Sequence, residues 1–267
     1  MKKYLAIFRI RFTNSLQYRA AALAGMATQF AWGFMEILAF SAFYKANPAA
    51  FPMEFSQTVS YIWLQQAFLA LFMVWFFETE IFSAITSGGI AYELARPVDL
   101  YGRWFCQSAA NRLSKAVLRC LPILIVAFVV PEPFRMSLPE NSIHFFLFLV
   151  SATLSLCVVV SFSMLVYIST FYTLSPMGVR IISAVLADFL AGAIIPLPFF
   201  TQPYRAIAEA LPFAAMQNMP LRIYNGNIAG ANALWGIGLQ IFWLVVLVLV
   251  GRLMMKNSLR KVVVQGG

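Results

Sequence analysis

The sequence predicts an all-α, polytopic membrane protein with six transmembrane helices, an N-terminal interfacial helix and a broken helical outer segment before the sixth span. Three observations carry this. The 267 residues are 61% hydrophobic and only 11% charged, with a mean hydropathy of +0.79, which leaves too little polar surface for a soluble domain of this length. Apolar runs of about 18 or more residues recur along the chain, the length needed to cross a bilayer core. The charges that do occur gather at the ends of those runs, and no interleaved basic–aromatic surface explains the net charge of +9 as a nucleic-acid footprint, so topology explains it instead.

The whole chain reads as one transmembrane domain. Residues 1–18 wind as an interfacial helix, with Leu5, Phe8, Phe12 and Leu16 on one face and basic residues toward the headgroups. Arg9 and Arg11 interrupt what a signal peptide would keep uncharged, and no small-residue cleavage site follows, so this segment reads as retained. The first span covers 20–44 and ends at Lys45-Ala-Asn-Pro48. The second covers 59–77, with Tyr61, Trp63 and Trp75 as an aromatic belt.

A loop over 80–104 follows, which holds the longest run of charge, glycine and proline between two strongly apolar segments. Within it, Ile85 to Ala95 forms a short helix that Pro97 stops, because the residue before a proline disfavours the α region. Gly88 and Gly89 loosen its entry. A short helix on a tight loop is a handle that a separate motor subunit can push. Glu78, Glu80, Arg96, Asp99 and Arg103 give it a polar rim.

The third span, 108–130, is polar at first (Asn111, Arg112, Lys115, Arg119) and apolar later. The fourth, 143–172, is long enough to tilt, and the turn Thr173-Leu-Ser-Pro-Met-Gly178 leads into the fifth, 179–195. The connector 196–230 is too polar and proline-rich to span and reads as an extracellular or re-entrant segment. Thr201 caps its first helix, Pro212 and Pro220 divide the rest, and Asn225-Gly-Asn turns. The sixth span, 233–254, precedes a basic tail. With both termini cytoplasmic, only Lys45, Arg135, Arg205 and Arg222 of the 19 Lys and Arg residues face outward, as the positive-inside rule requires.

Little in the chain supports catalysis. No Gly-x-x-x-x-Gly-Lys-Ser/Thr phosphate loop occurs, so the chain does not bind nucleotide by that device. The single histidine, His144, reads as a solvated edge residue without a partner cluster, and no nucleophile–base arrangement lies near it. Cys106, Cys120 and Cys157 are odd in number and lack metal spacing, so they read as buried thiols. Gln29, Glu36, Gln65, Gln66 and Asp188 fall inside spans. They are candidates for a translocation path, with interhelical pairing as the simpler reading. The aromatic density reads first as lipid contact and packing, and a pathway walled this way would suit an amphipathic or apolar cargo.

Gly88-Gly-Ile-Ala-Tyr-Glu-Leu-Ala-Arg-Pro97 resembles the glycine–(eight residues)–proline coupling loop of type-2 ATP-binding-cassette (ABC-2) permeases, although Gly89 stands where a polar residue is usual. Pro212-Phe213, Pro220 and Tyr224-Asn-Gly226 resemble that family's outer segment. The resemblance implies a permease of the bacterial inner membrane, itself no enzyme. It would act as a homo- or heterodimer with cytoplasmic nucleotide-binding ATPase subunits, exporting peptide, drug-like or lipid-linked cargo. The ATPase would dock on Ile85, Gly88, Gly89, Glu93, Leu94, Arg96 and Pro97, with ATP and Mg held on that partner and no cofactor on this chain. The residues alone leave two other classes open: an ion-coupled secondary transporter using Glu36 and Asp188, and a non-transporting scaffold or immunity protein.

Overall fold

The computed structural model describes residues 2–17, 19–173 and 175–260. Met1, Tyr18, Leu174 and the tail from Lys261 lie outside the described residues, as do the side chains of residues 19–23, Arg19 among them. The described residues form α-helices and two 3₁₀ turns, without a strand. Four long helices stand where the first, third, fourth and sixth spans are expected: α2 (Arg19–Ala46), α7 (Leu100–Val129), α8 (Ser142–Ser169) and α12 (Gly230–Leu259). Of these, α8 and α12 are both long and apolar enough to cross a membrane.

The second and fifth expected spans are broken. α3 (Phe55–Ala67) gives way to the single turn α4 (Leu69–Phe72), and Met73 to Glu78 leave the helix altogether. α9 (Met177–Leu190) stops five residues short of the expected Ile195. Gly192 there takes φ 80°, a left-handed conformation that closes helix ends and that a side chain disfavours.

Other boundaries follow from capping. α7 starts at Leu100, ahead of the expected 108, because the Asp99 carboxylate accepts from Gly102 N at 2.8 Å. Thirty residues make it about 45 Å long. Asn141 caps α8 in the same way through His144 N at 2.9 Å. Between α9 and α12, α10 (Tyr204–Ala210) is preceded by Pro203 and not capped by Thr201, and Pro220 sits inside the first turn of α11 (Asn218–Tyr224). The Asn225-Gly-Asn turn forms as expected, with Gly226 at φ 73° and Asn227 N donating to Asn225 Oδ1.

α8 and α12 run parallel. Ser151 meets Gln240 near one end, and Ser258 meets Tyr172 near the other. α1 (Lys2–Ser15) lies along α7, tied by Lys3 to the Pro97 carbonyl and by Ser15 to Asn111. Its protein-facing side is Tyr4, Ile7, Phe8, Arg11, Phe12 and Ser15, continued by Leu16, so of the expected apolar face Phe8, Phe12 and Leu16 are half-buried and Leu5 is 70% exposed.

Tyr61 and Trp63 are wholly buried and form no belt; Trp63 Nε1 donates to the Phe134 carbonyl. His144 is likewise buried beside Glu140 and is not the solvated edge residue expected. The three cysteines are free and half-buried.

Candidate functional site

The loop read as a handle is an elbow made of two helices. α5 (Thr79–Thr86) and α6 (Ile90–Leu94) replace the single expected helix over 85–95, because Gly88 turns the chain at φ 77°. One apolar cluster anchors it: Ile81, Phe82 and Ile90 pack with Leu100, Tyr101 and Trp104 of α7, Met164 and Tyr167 of α8, and Met255 of α12. Arg180 lies over the Phe82 ring at 5.0 Å. Burial pushes the Tyr101 hydroxyl up to about 12, against the pull of Arg252.

The polar residues of the elbow divide by depth. Glu93 points inward, in an ion pair with Arg103 at 2.8 Å and accepting from Trp104 Nε1 at 3.1 Å. Glu78 is also buried and accepts from Asn111 at 2.8 Å, so neither it nor Arg103 belongs to the expected outer rim. Glu80 is bound by Arg11 at 2.8 Å and by Gln107 at 3.2 Å, which fastens α1 to the elbow. Of the expected docking residues, Gly88, Leu94, Arg96 and Pro97 are exposed; Ile85 and Gly89 are half-buried. Tyr92, which the sequence reading passed over, projects furthest, at 81% exposure.

Above the elbow, each break in a helix is closed by a long polar side chain. Arg112 is 1% exposed, so it is not the solvated cation that charge counting implies. Its guanidinium donates to the carbonyls of Ala70, Met73, Val74 and Phe76 and to Ser163. Those are the carbonyls that the end of α4 leaves without helical partners, so Arg112 makes the unwound stretch tolerable.

A second joint closes the end of α9. Tyr61 donates to the Gly192 carbonyl at 3.0 Å and Gln65 to that of Ala193 at 2.9 Å. Gln217 adds bonds to Gln65 Oε1 and the Gly192 carbonyl. In a third, Gln240 of α12 reaches Ser151, Ser155 and the Ala215 carbonyl.

The intramembrane candidates therefore divide. Gln29 donates to the Gln66 carbonyl at 3.0 Å, and Gln66 donates to Glu36 at 3.2 Å. With Gln65, these are links between elements. Asp188 is half-buried, and its carboxylate makes no hydrogen bond or ion pair among the described residues. The structure brings Gln29, Glu36 and Gln66 together and leaves Asp188 apart on α9. Sequence reasoning missed Arg112, Gln217 and Gln240 as joints; only Gln240 carried a signal, as a lone long polar residue in an apolar run, whereas Arg112 sits among Asn111, Lys115 and Arg119.

A family model for ABC-2 family transporter proteins matches residues 30–266. It begins inside α2 and takes in the elbow, the joints and the α8–α12 pair, leaving α1 outside. No curated protein matches the chain closely enough to count as a relative. Membership brings with it a membrane-integral permease role and partnership with an ATP-binding subunit. With nearly its whole length matched, the chain belongs to the ABC-2 family of transporter proteins.

Proposed function

We propose that the chain is the permease of an exporter, paired with a like or unlike permease and driven by cytoplasmic ATPase subunits that grip the elbow. Both termini then lie in the cytoplasm of a bacterial cell, with six crossings counted by treating the broken second and fifth segments as spans. Cargo is amphipathic, peptide, drug-like or lipid-linked. ATP and Mg are bound by the motor.

The observation that supports this most is the pairing of an exposed rim with a tied base. Tyr92 and Leu94 stand exposed beside Arg96 and Pro97, where a partner can bury them. Glu93, in the same short helix, is held to Arg103 and Trp104 of α7. Force applied to α6 reaches α7 through that link, and reaches the Arg112 joint through α5. Gln29, Gln65 and Gln66 serve as links in this scheme; Glu36 and Asp188 remain the candidates for facing cargo.

The test is co-purification in mild detergent. The motor subunit elutes with the native chain and is lost on Leu94→Asp or Arg96→Glu, neither of which removes a buried contact. A cysteine placed at Tyr92 labels from the cytoplasmic side with an impermeant maleimide. Labelling only from outside, or a motor that stays bound to both variants, would sink the reading.

A further inference from the structure

α7 carries Arg112, Lys115 and Arg119 at spacings of three and four, which places them on one face. Arg112 is occupied by the joint carbonyls. The other two cations are not so engaged. Lys115 Nζ stands 5.5 Å over the Phe76 ring, and the side chains of Lys115 and Arg119 make no hydrogen bond or ion pair among the described residues. The Arg119 Nε is buried without a partner.

No acidic side chain is in contact with them. All 10 of its acidic residues are described. Glu80, Glu93, Glu132 and Glu209 pair with arginines and Glu140 faces His144. Glu36, Glu54, Glu78 and Asp99 are taken by Gln66, the cap of α3, Asn111 and the cap of α7. Asp188 stands apart on α9. Glu78 acts on Lys115 only at longer range.

Depth and shape narrow the ligand. The Arg119 guanidinium rests against α2 at Gly25, where an added Cβ would lie 2.8 Å from Nη2. Gly25 is about 9 Å along α2 from Arg19, a depth that the six-crossing reading proposed above puts near the headgroup–acyl boundary on the elbow side. Side chains on α7 lean toward its N-terminal, elbow end, so both cations snorkel to that level. Thr28 and Trp32 continue the Gly25 face of α2 and are exposed, Trp32 by 60%. This wall suits an acyl chain, and unpaired cations beside hydrocarbon are costly without an anion.

We propose that Lys115 and Arg119, with Gly25 as the notch that admits the guanidinium, hold the phosphate of an anionic phospholipid in the leaflet nearer the elbow. The site stands whether or not a motor docks on the elbow. Native mass spectrometry of the full chain in detergent, with phosphatidylglycerol or phosphatidylcholine added, tests it. The native chain retains phosphatidylglycerol preferentially. Lys115→Gln combined with Arg119→Gln lowers that preference about tenfold or more, since one cation near an anionic surface is worth about a factor of five. Gly25→Ala keeps both charges, favours the helix, and weakens retention in the same direction by displacing the guanidinium; it decides the matter if the double variant aggregates.

Equal retention of the two lipids by the native chain overturns the proposal. So does an unchanged preference in a monodisperse double variant. Displacement of the lipid by inorganic phosphate would mark a soluble-anion site, and its loss on permease dimerisation would give the cations to a partner's carboxylate; either result overturns the lipid assignment.

Discussion

Glu93 and Arg103 meet at 2.8 Å beneath the elbow, with side chains only 18% and 9% exposed. The pair joins the shorter helix of the elbow, α6, to the 30-residue α7. Removing one partner leaves the other charge partly buried and unpaired, which costs about 3 kcal/mol. Glu93→Gln and Arg103→Gln therefore each lower the detergent unfolding temperature, and the double variant recovers part of the loss. A strictly additive double variant would show that the pair does not couple.

Arg112 closes the unwound stretch with five hydrogen bonds. Arg112→Met leaves those acceptors unmet at about 1–3 kcal/mol each where buried, so the variant is expected to express at a small fraction of the native yield. Arg112→Lys, with three donors in place of five, gives an intermediate yield and unfolding temperature. Native-like behaviour of the methionine variant would mean that water fills the joint.

Much of this arrangement could be read from the residues. The elbow is announced by Gly88, Gly89 and Pro97, because glycine and proline act on the backbone where they stand. The four long helices follow from the lengths of their apolar runs. The break between Phe68 and Glu78 was not legible, since Phe68 to Phe77 is apolar almost throughout and nothing local stops a helix. The cause lies some forty residues further on, in a side chain that reads as a span-end charge. The end of α9 was hidden for a similar reason: Gln217 closes it from the far side of the outer segment. The interval between sequence position and place of action is what defeats local reading.

The joint at Gly192 gives a graded test. Tyr61→Phe removes one bond to the Gly192 carbonyl and costs about 1 kcal/mol. Gly192→Ala must hold φ near 80° with a Cβ 3.0 Å from the Tyr61 hydroxyl, costing about 1–2 kcal/mol for the left-handed conformation alone. Thermal unfolding in detergent should therefore rank native, Tyr61→Phe and Gly192→Ala in descending stability. Equal stability of all three would mean that the α9 end is held elsewhere.

Glu36 and Asp188 separate the exporter from an ion-coupled carrier. Glu36→Gln keeps a group that Gln66 can bond, and Asp188→Asn removes a costly charge from a span. Under ATP drive both variants transport within about twofold of the native rate, because neither acid has to ionise for the cycle to turn. Collapse of transport in either, together with dependence on an ion gradient, would favour the carrier.

The parallel course of α8 and α12 bears on how the protein is made. Ser151, Ser155 and the Ala215 carbonyl all look to one amide, Gln240, which leaves the ribosome after α8 and the segment that carries Ala215. Until it arrives, Ser151 of α8 has no interhelical mate, while Ser155 can already donate to the Ala215 carbonyl. The docking of α12 thus completes the packing of α8, and a nascent chain arrested before α12 should be a ready target for membrane proteases.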